Sequence, residues 1–134
     1  MWYVDSSAII KLIKPEKGSA ALIKKLPPSL ITSRISRVEV ARTIAKHEPD
    51  LLDAAYDILA DIQMIPVEDS IITIAENLPL HIDFRSLDSL HIASALAIRN
   101  ALKGIITYDK EMVQAGVALG FNTMSPGIKQ LMNR

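Results

Sequence analysis

The chain has 134 residues, 49% of them hydrophobic but only six aromatic, and its 15 basic and 15 acidic residues cancel. That is enough for one domain with an aliphatic core of Ile, Leu, Val and Ala, and no apolar run approaches the ~18 residues that cross a bilayer. The absence of cysteine excludes disulfides and thiolate metal sites. The N-terminus MWYVDSSAII lacks the basic n-region and cleavage site of a secretory signal, so the sequence predicts a cytoplasmic protein without a membrane segment.

The neutral total hides an asymmetry. Residues 1–47 carry nine Lys/Arg against three acids, residues 48–91 one Arg against ten acids, and the remainder five bases against two acids. Solvated helix faces explain such blocks, and so does a basic surface for a polyanion beside an acidic patch. Charge alone does not separate the two.

Short β-like runs alternate with amphipathic helices along the chain. WYV, Trp2–Val4, predicts a strand leading into Asp5, and SSAIIKLI a helix that stops before Pro15. A second helix is expected over Glu16–Leu26, ended by Pro27 and Pro28. A strand over Ser29–Ser33 and a helix over Arg34–His47 follow. Pro49 opens a helix from Asp50 to Ile62 whose acids, Asp50, Asp53, Asp57 and Asp61, share a wet face. Gln63–Val67 is a strand and Asp69–Leu78 a helix. The loop His81–Ser86 then delivers the chain into a helix running to about Leu102, apolar or small at nearly every position. Gly104–Tyr108 is a strand, followed by a helix to about Leu119 ended by Gly120. FNTM is a last short strand, with one helical turn expected in the tail to Arg134. This alternation predicts an α/β fold, a parallel sheet covered on both faces.

Four acids are not explained by polar faces. Asp5 and Asp109 directly follow strands, at the carboxyl ends where ligand sites form in open α/β sheets, though each would also cap the helix after it. Glu39 stands between valines, at the edge of the stripe formed by Ile35, Val38 and Ala45; an ion pair with Arg37 or Arg42 is the alternative account. Asp88 shares a helix face with Ile92 and Ala95, so it is expected to point into protein and to need a partner. It could cap its own helix; otherwise its partner is a cation or a shared site. Lys110 and Arg85 are neighbours of these acids in sequence without being aimed at one point. Carboxylates converging with so few bases repel unless a metal compensates them, and oxygen ligands favour Mg2+ or Mn2+ over zinc. His47, His81 and His91 show no zinc-like spacing. His91, one turn beyond Asp88, reads as a satisfied helix residue rather than a site residue.

Taken in order, YVDSSAIIKL, SRVEVAR, SLDSLHIASAL and GIITYDK resemble the PIN domain, and most closely its VapC branch, the toxins of VapBC toxin–antitoxin pairs. The resemblance runs over essentially the whole chain. It implies a three-layer α/β/α sandwich with a central parallel sheet of about five strands. It also implies a metal-dependent endoribonuclease whose acids, here Asp5, Glu39, Asp88 and Asp109, hold Mg2+ or Mn2+. The family's hydroxyl positions map onto Thr107 and onto Ser6, where many relatives carry Thr. Many relatives have a further acid after the last motif; here Met112 takes that register and Glu111 stands beside it. Asp5 or Glu39 would orient the attacking water, leaving a 5′-phosphate.

The partners implied are RNA, a second copy of the chain, and a VapB-type antitoxin whose tail reaches the acids. The stretch Lys11–Lys46, with Lys24 and Lys25, is the candidate RNA-facing surface. The competing readings are an inactive PIN-like binding module and a receiver-type signalling domain. The latter would want paired acids after the first strand and a lysine ending the last. No activated Ser–His or Cys–His pair is evident, which disfavours covalent catalysis.

Overall fold

A computed structural model describes residues 1–129; the helical turn expected toward Arg134 lies outside them. Five strands, β1 (Trp2–Val4), β2 (Leu30–Ser33), β3 (Gln63–Ile65), β4 (Gly104–Ile106) and β5 (Thr123–Met124), form one parallel sheet in the order β3-β2-β1-β4-β5. Parallel neighbours need crossover connections, and helices supply them: α1 (Ser6–Ile13), α2 (Ser19–Lys24), α3 (Ile35–His47), α4 (Leu52–Ala60), α5 (Asp69–Glu76), α6 (Ser86–Ala97) and α7 (Lys110–Ala118).

Strand side chains alternate between the two faces, and this sorts the core into two clusters. Val4 and Ile106 meet Ala8 and Ile9 of α1, Leu22 of α2, Val40 and Ile44 of α3 and Leu59 of α4. Tyr3, Ile31 and Ile105 meet Ile92 and Ala95 of α6 and Met112 and Ala115 of α7, with Ile74 of α5 at the margin. The result is the three-layer sandwich. Among the described residues no helix is long and apolar enough to cross a membrane.

The sheet order sets where a site can form. From β1 the chain builds outward to β2 and β3, then returns to the other side of β1 to lay down β4 and β5. Its connections therefore diverge between β1 and β4, leaving a crevice at the carboxyl ends of those strands. Val4 is in register with Ile106, so the residues that follow them, Asp5 and Thr107, stand side by side.

Differences from the expected elements lie at their ends, and each has a local cause. The second helix starts at Ser19 rather than Glu16 because Gly18 has φ +91°, a left-handed conformation outside the helix. β3 stops at Ile65, before Pro66, which has no N–H for the ladder. A 3-10 turn over Pro49–Leu51 precedes α4, and the four acids of that region are exposed. Likewise α6 ends at Ala97 instead of near Leu102, since Ile98 turns to φ −120°, ψ 25° and a 3-10 turn follows over Arg99–Ala101.

Because Ile106 is fully buried in the centre of the sheet, truncating it to Ala is expected to cost about 2–5 kcal/mol of stability. Chemical denaturation of the I106A variant checks this. A loss under about 1 kcal/mol would mean that the core relaxes around the missing atoms.

Candidate active site

The crevice at the switch point has a volume of about 290 Å³ and is bordered by Asp5, Ser6, Ser7, Glu39, Arg85, Asp88, His91 and Asp109. The four acids singled out from the sequence therefore lie around one hollow, delivered by the ends of β1 and β4, the second turn of α3 and the first turn of α6.

Asp5 is the most firmly held of them. It is the N-cap of α1, and its Oδ1 accepts the Ala8 backbone N–H at 3.1 Å and the Ser7 hydroxyl at 2.6 Å. Its Oδ2 accepts the Thr107 hydroxyl from the neighbouring strand end. Ser7 is fixed in turn by the Tyr108 N–H at 2.9 Å, and Thr107 by the Asp109 N–H at 3.1 Å. Burial pushes the Asp5 carboxyl above its ordinary value, while His91, Ser7, Thr107 and the Ala8 N–H pull it down.

Asp109 caps α7 by accepting the Glu111 N–H at 2.9 Å. Capping and membership of the crevice are thus compatible at Asp5 and Asp109. Thr107 takes the place expected of it. Ser6 borders the crevice, but the hydroxyl bonded to Asp5 belongs to Ser7, which the sequence reading passed over. The spacing Asp-x-Ser at a helix start was the available signal, since a serine there folds back readily onto nearby polar groups.

Asp88 lies against protein on one side and against the crevice on the other. It sits in the first turn of α6 and is half-buried, not enclosed. The buried part of that helix begins one turn on, at His91, and Leu87 is 43% exposed. The amino end of the helix projects from the core into the crevice mouth. Partial burial, then the carboxylates of Asp109 and Asp5, push the Asp88 carboxyl up to about 6, with His91 and Arg85 opposing.

Glu39 pairs with neither Arg37 nor Arg42. Its Oε1 meets Nε2 of His91 at 2.7 Å, and His91 is 2% exposed. His91 is thus a satisfied helix residue, as the sequence suggests, and it also lines the crevice and holds Glu39. Burial works to lower its pKa, but the hydrogen bond to Glu39 and the carboxylates of Asp5, Glu39 and Asp88 outweigh that and raise it. Arg85 is the cation bordering the crevice; it is well exposed and only loosely paired with Glu111, at 3.6 Å. Met112 is buried in the core, which removes it from the site.

Among the described residues no three His, Asp or Glu side chains are gathered so as to hold a metal ion by themselves. The donor set nevertheless suits Mg2+, which binds through one or two carboxylates and keeps several of its waters. It does not suit zinc, since the crevice offers a single imidazole already bonded at both nitrogens. The carboxylates of Asp109 and Asp5 add to burial in raising Asp88, a repulsion that a hydrated cation would relieve.

The PIN domain profile matches residues 2–118. The chain is 31% identical to Ribonuclease VapC47 of Mycobacterium tuberculosis over 134 residues, covering 95% of this chain and 98% of that protein. Among solved structures, VapC20 of Mycobacterium tuberculosis, a sarcin–ricin loop cleaving toxin, superimposes with a TM-score of 0.75 at 16% identity, covering 94% of this chain and all of that one. A toxin–antitoxin complex from Klebsiella pneumoniae gives a TM-score of 0.74 at 17% identity, covering 94% of this chain and 98% of that one.

The raised carboxyl of Asp88 yields a stability test. Its folded state holds a proton more tightly than the unfolded chain, so the stability it lends is present below pH 3.8 and is lost as pH rises toward about 6. In EDTA the protein should therefore lose stability over that window relative to D88N. At neutral pH D88N should be more stable by about 1 kcal/mol, after discounting for solvent screening, or about 3 °C in melting temperature. Paired melting curves read this directly. A variant melting lower than wild type at pH 7 in EDTA would make Asp88 a structural residue.

Proposed function

Because the chain belongs to the PIN-domain family, and within it to the VapC branch, we propose that it is an Mg2+-dependent endoribonuclease acting as the toxin of a toxin–antitoxin pair. The observation that carries this reading is the crevice itself, where Asp5, Glu39, Asp88 and Asp109 surround a hollow open to solvent at the sheet's switch point.

Bound there, Mg2+ or Mn2+ would neutralise a phosphodiester and make a water nucleophilic near neutral pH. The four acids are the groups to hold it. They differ in how free they are. Asp5 has both oxygens committed to Ser7, Ala8 and Thr107, which fixes it as an anchor. Glu39 uses Oε1 for His91 and keeps its second oxygen for a proton, so of Asp5 and Glu39 it is the better acceptor for the attacking water. Asp88 and Asp109, half-buried at the mouth, face an incoming strand.

The relatives' names support the RNA substrate, and the Klebsiella complex supports an antitoxin as partner. Exposed apolar residues on the two helices considered for partner contacts, Ile23 on α2 and Val38 on α3, suit an antitoxin or a second copy of the chain. The basic residues of Lys11–Lys46 fall on both ends of the sheet. Lys24 and Lys25 end α2, which leads into the amino end of β2, the edge of the sheet opposite the crevice. Arg34 follows the carboxyl end of β2 and Arg85 borders the crevice, so these two are placed to meet phosphates.

Purified protein is expected to cleave RNA with Mg2+ or Mn2+ and to stop in EDTA. Changing Asp5 or Asp88 to Asn should cost about two or more orders of magnitude in kcat. Undiminished cleavage in EDTA would overturn the metal mechanism, and no cleavage under any condition would favour an inactive binding module.

In RNA titrations with the inactive D5N background, reversing Arg34 and Arg85 to Glu should weaken binding. It should also reduce the slope of log K against log salt by about 1–2. Reversing Lys24 and Lys25 should change neither. The opposite pattern would place the RNA on the far edge of the sheet.

A further inference from the structure

Three side chains from separate elements form a hydrogen-bonded chain leading from the core to the crevice wall. Tyr3 of β1 is fully buried, and its hydroxyl lies 2.6 Å from Nδ1 of His91 on α6. The two rings meet edge to face, 5.9 Å between centroids at 80°. On its other side the same hydroxyl accepts the Ser33 backbone N–H, 3.1 Å away at the end of β2. Nε2 of His91 then meets Glu39 of α3 at 2.7 Å.

We infer that His91, anchored by Tyr3, is the positioning residue that holds the Glu39 carboxylate in the crevice; this rests on the metal-dependent reading above. The donor count gives the direction. The Glu39 carboxylate can only accept, so Nε2 carries a hydrogen; in the neutral ring Nδ1 is then the acceptor and takes the Tyr3 hydrogen, while the Tyr3 oxygen accepts from Ser33. A second ring proton on Nδ1 would leave that donation in place. The arrangement therefore does not depend on the ionisation of the ring.

Glu39 needs such a hold. It has three side-chain torsions and lies on the helix face next to Arg42, three residues on, which offers the ordinary surface ion pair. A glutamate swung onto Arg42 is no longer available to the crevice. His91, buried and fixed at both nitrogens, makes the competing contact, and its anchor is in the sheet rather than on the surface. Partners that orient a metal-binding group in this way are typically worth about 10–100-fold in metal affinity.

The test compares wild type with H91L, H91Q and Y3F. Mn2+ affinity is read by electron paramagnetic resonance, and order of the Glu39 side chain by 13C relaxation in the metal-free protein. H91L is expected to lose about 10–100-fold in Mn2+ affinity and to leave Glu39 mobile. H91Q, whose amide nitrogen sits where Nε2 did, should restore both toward wild type. Y3F keeps the ring but removes its anchor and should fall between; it carries the test if H91L does not fold. RNA cleavage should drop in kcat with KM little changed, because no contact to the substrate is removed. H91L that binds Mn2+ as wild type does, with Glu39 equally ordered, overturns the inference, as does H91Q no better than H91L. If wild type binds no Mn2+, the metal reading fails instead, and the relaxation measurement alone decides the role of His91.

Discussion

The Asp5 carboxylate sits buried at the end of the central strand, and the atoms around it come from two segments at once, the helix that follows β1 and the end of β4. Ser7 and the Ala8 N–H reach it from α1, and Thr107 reaches it from the end of β4. Those contacts exist only if β4 lies beside β1 in the observed register, with Val4 opposite Ile106. That adjacency requires the chain to return across the sheet after β3. The long crossover through α5 and α6 accomplishes this, and it also brings Asp88 and His91 to the same crevice. One buried carboxylate thus depends on the topology of the whole sheet, and its hydrogen bonds in turn pin the ends of two strands.

The remaining acids are held less tightly, and the difference fits the work proposed for them. A carboxylate fixed by three donors cannot move, whereas the Asp88 carboxyl is pushed up to about 6, first by partial burial and then by the carboxylates of Asp109 and Asp5. The nearby cation does little to relieve this, since Arg85 is exposed and leans loosely on Glu111. Electrostatic strain left uncompensated by the protein is what a site for a hydrated divalent cation should show in the absence of that cation. A crevice built for stability would have placed a lysine or a bidentate arginine among these acids.

Much of this was legible in the sequence. Strand–acid junctions at Asp5 and Asp109 mark carboxyl ends of strands, and periodicity places Glu39 and Asp88 on helices. The parallel sheet follows from the alternation of elements. What periodicity could not supply was depth and partnership. Asp88 was expected to point into protein because Ile92 and Ala95 share its face, and how far its first turn opens onto the crevice is not written in that periodicity. His91 was set aside because nothing local connects it to Tyr3, 88 residues away, or to Glu39, 52 residues away. Such contacts are created by the sheet order, which a single sequence does not spell out. The basic stretch does not form one continuous surface for the same reason: α2 and α3 are close in sequence, but Lys24 precedes β2 and Arg34 follows it, at opposite ends of the strand.

The central claim is that the acids at the switch point form one metal site. Crystals grown with Mn2+ and measured at its absorption edge address it most directly. The account predicts anomalous density within the crevice bordered by Asp5, Glu39, Asp88 and Asp109, lost in crystals of D5N. Density at saturating Mn2+ only elsewhere on the protein, with the crevice holding none, would contradict it.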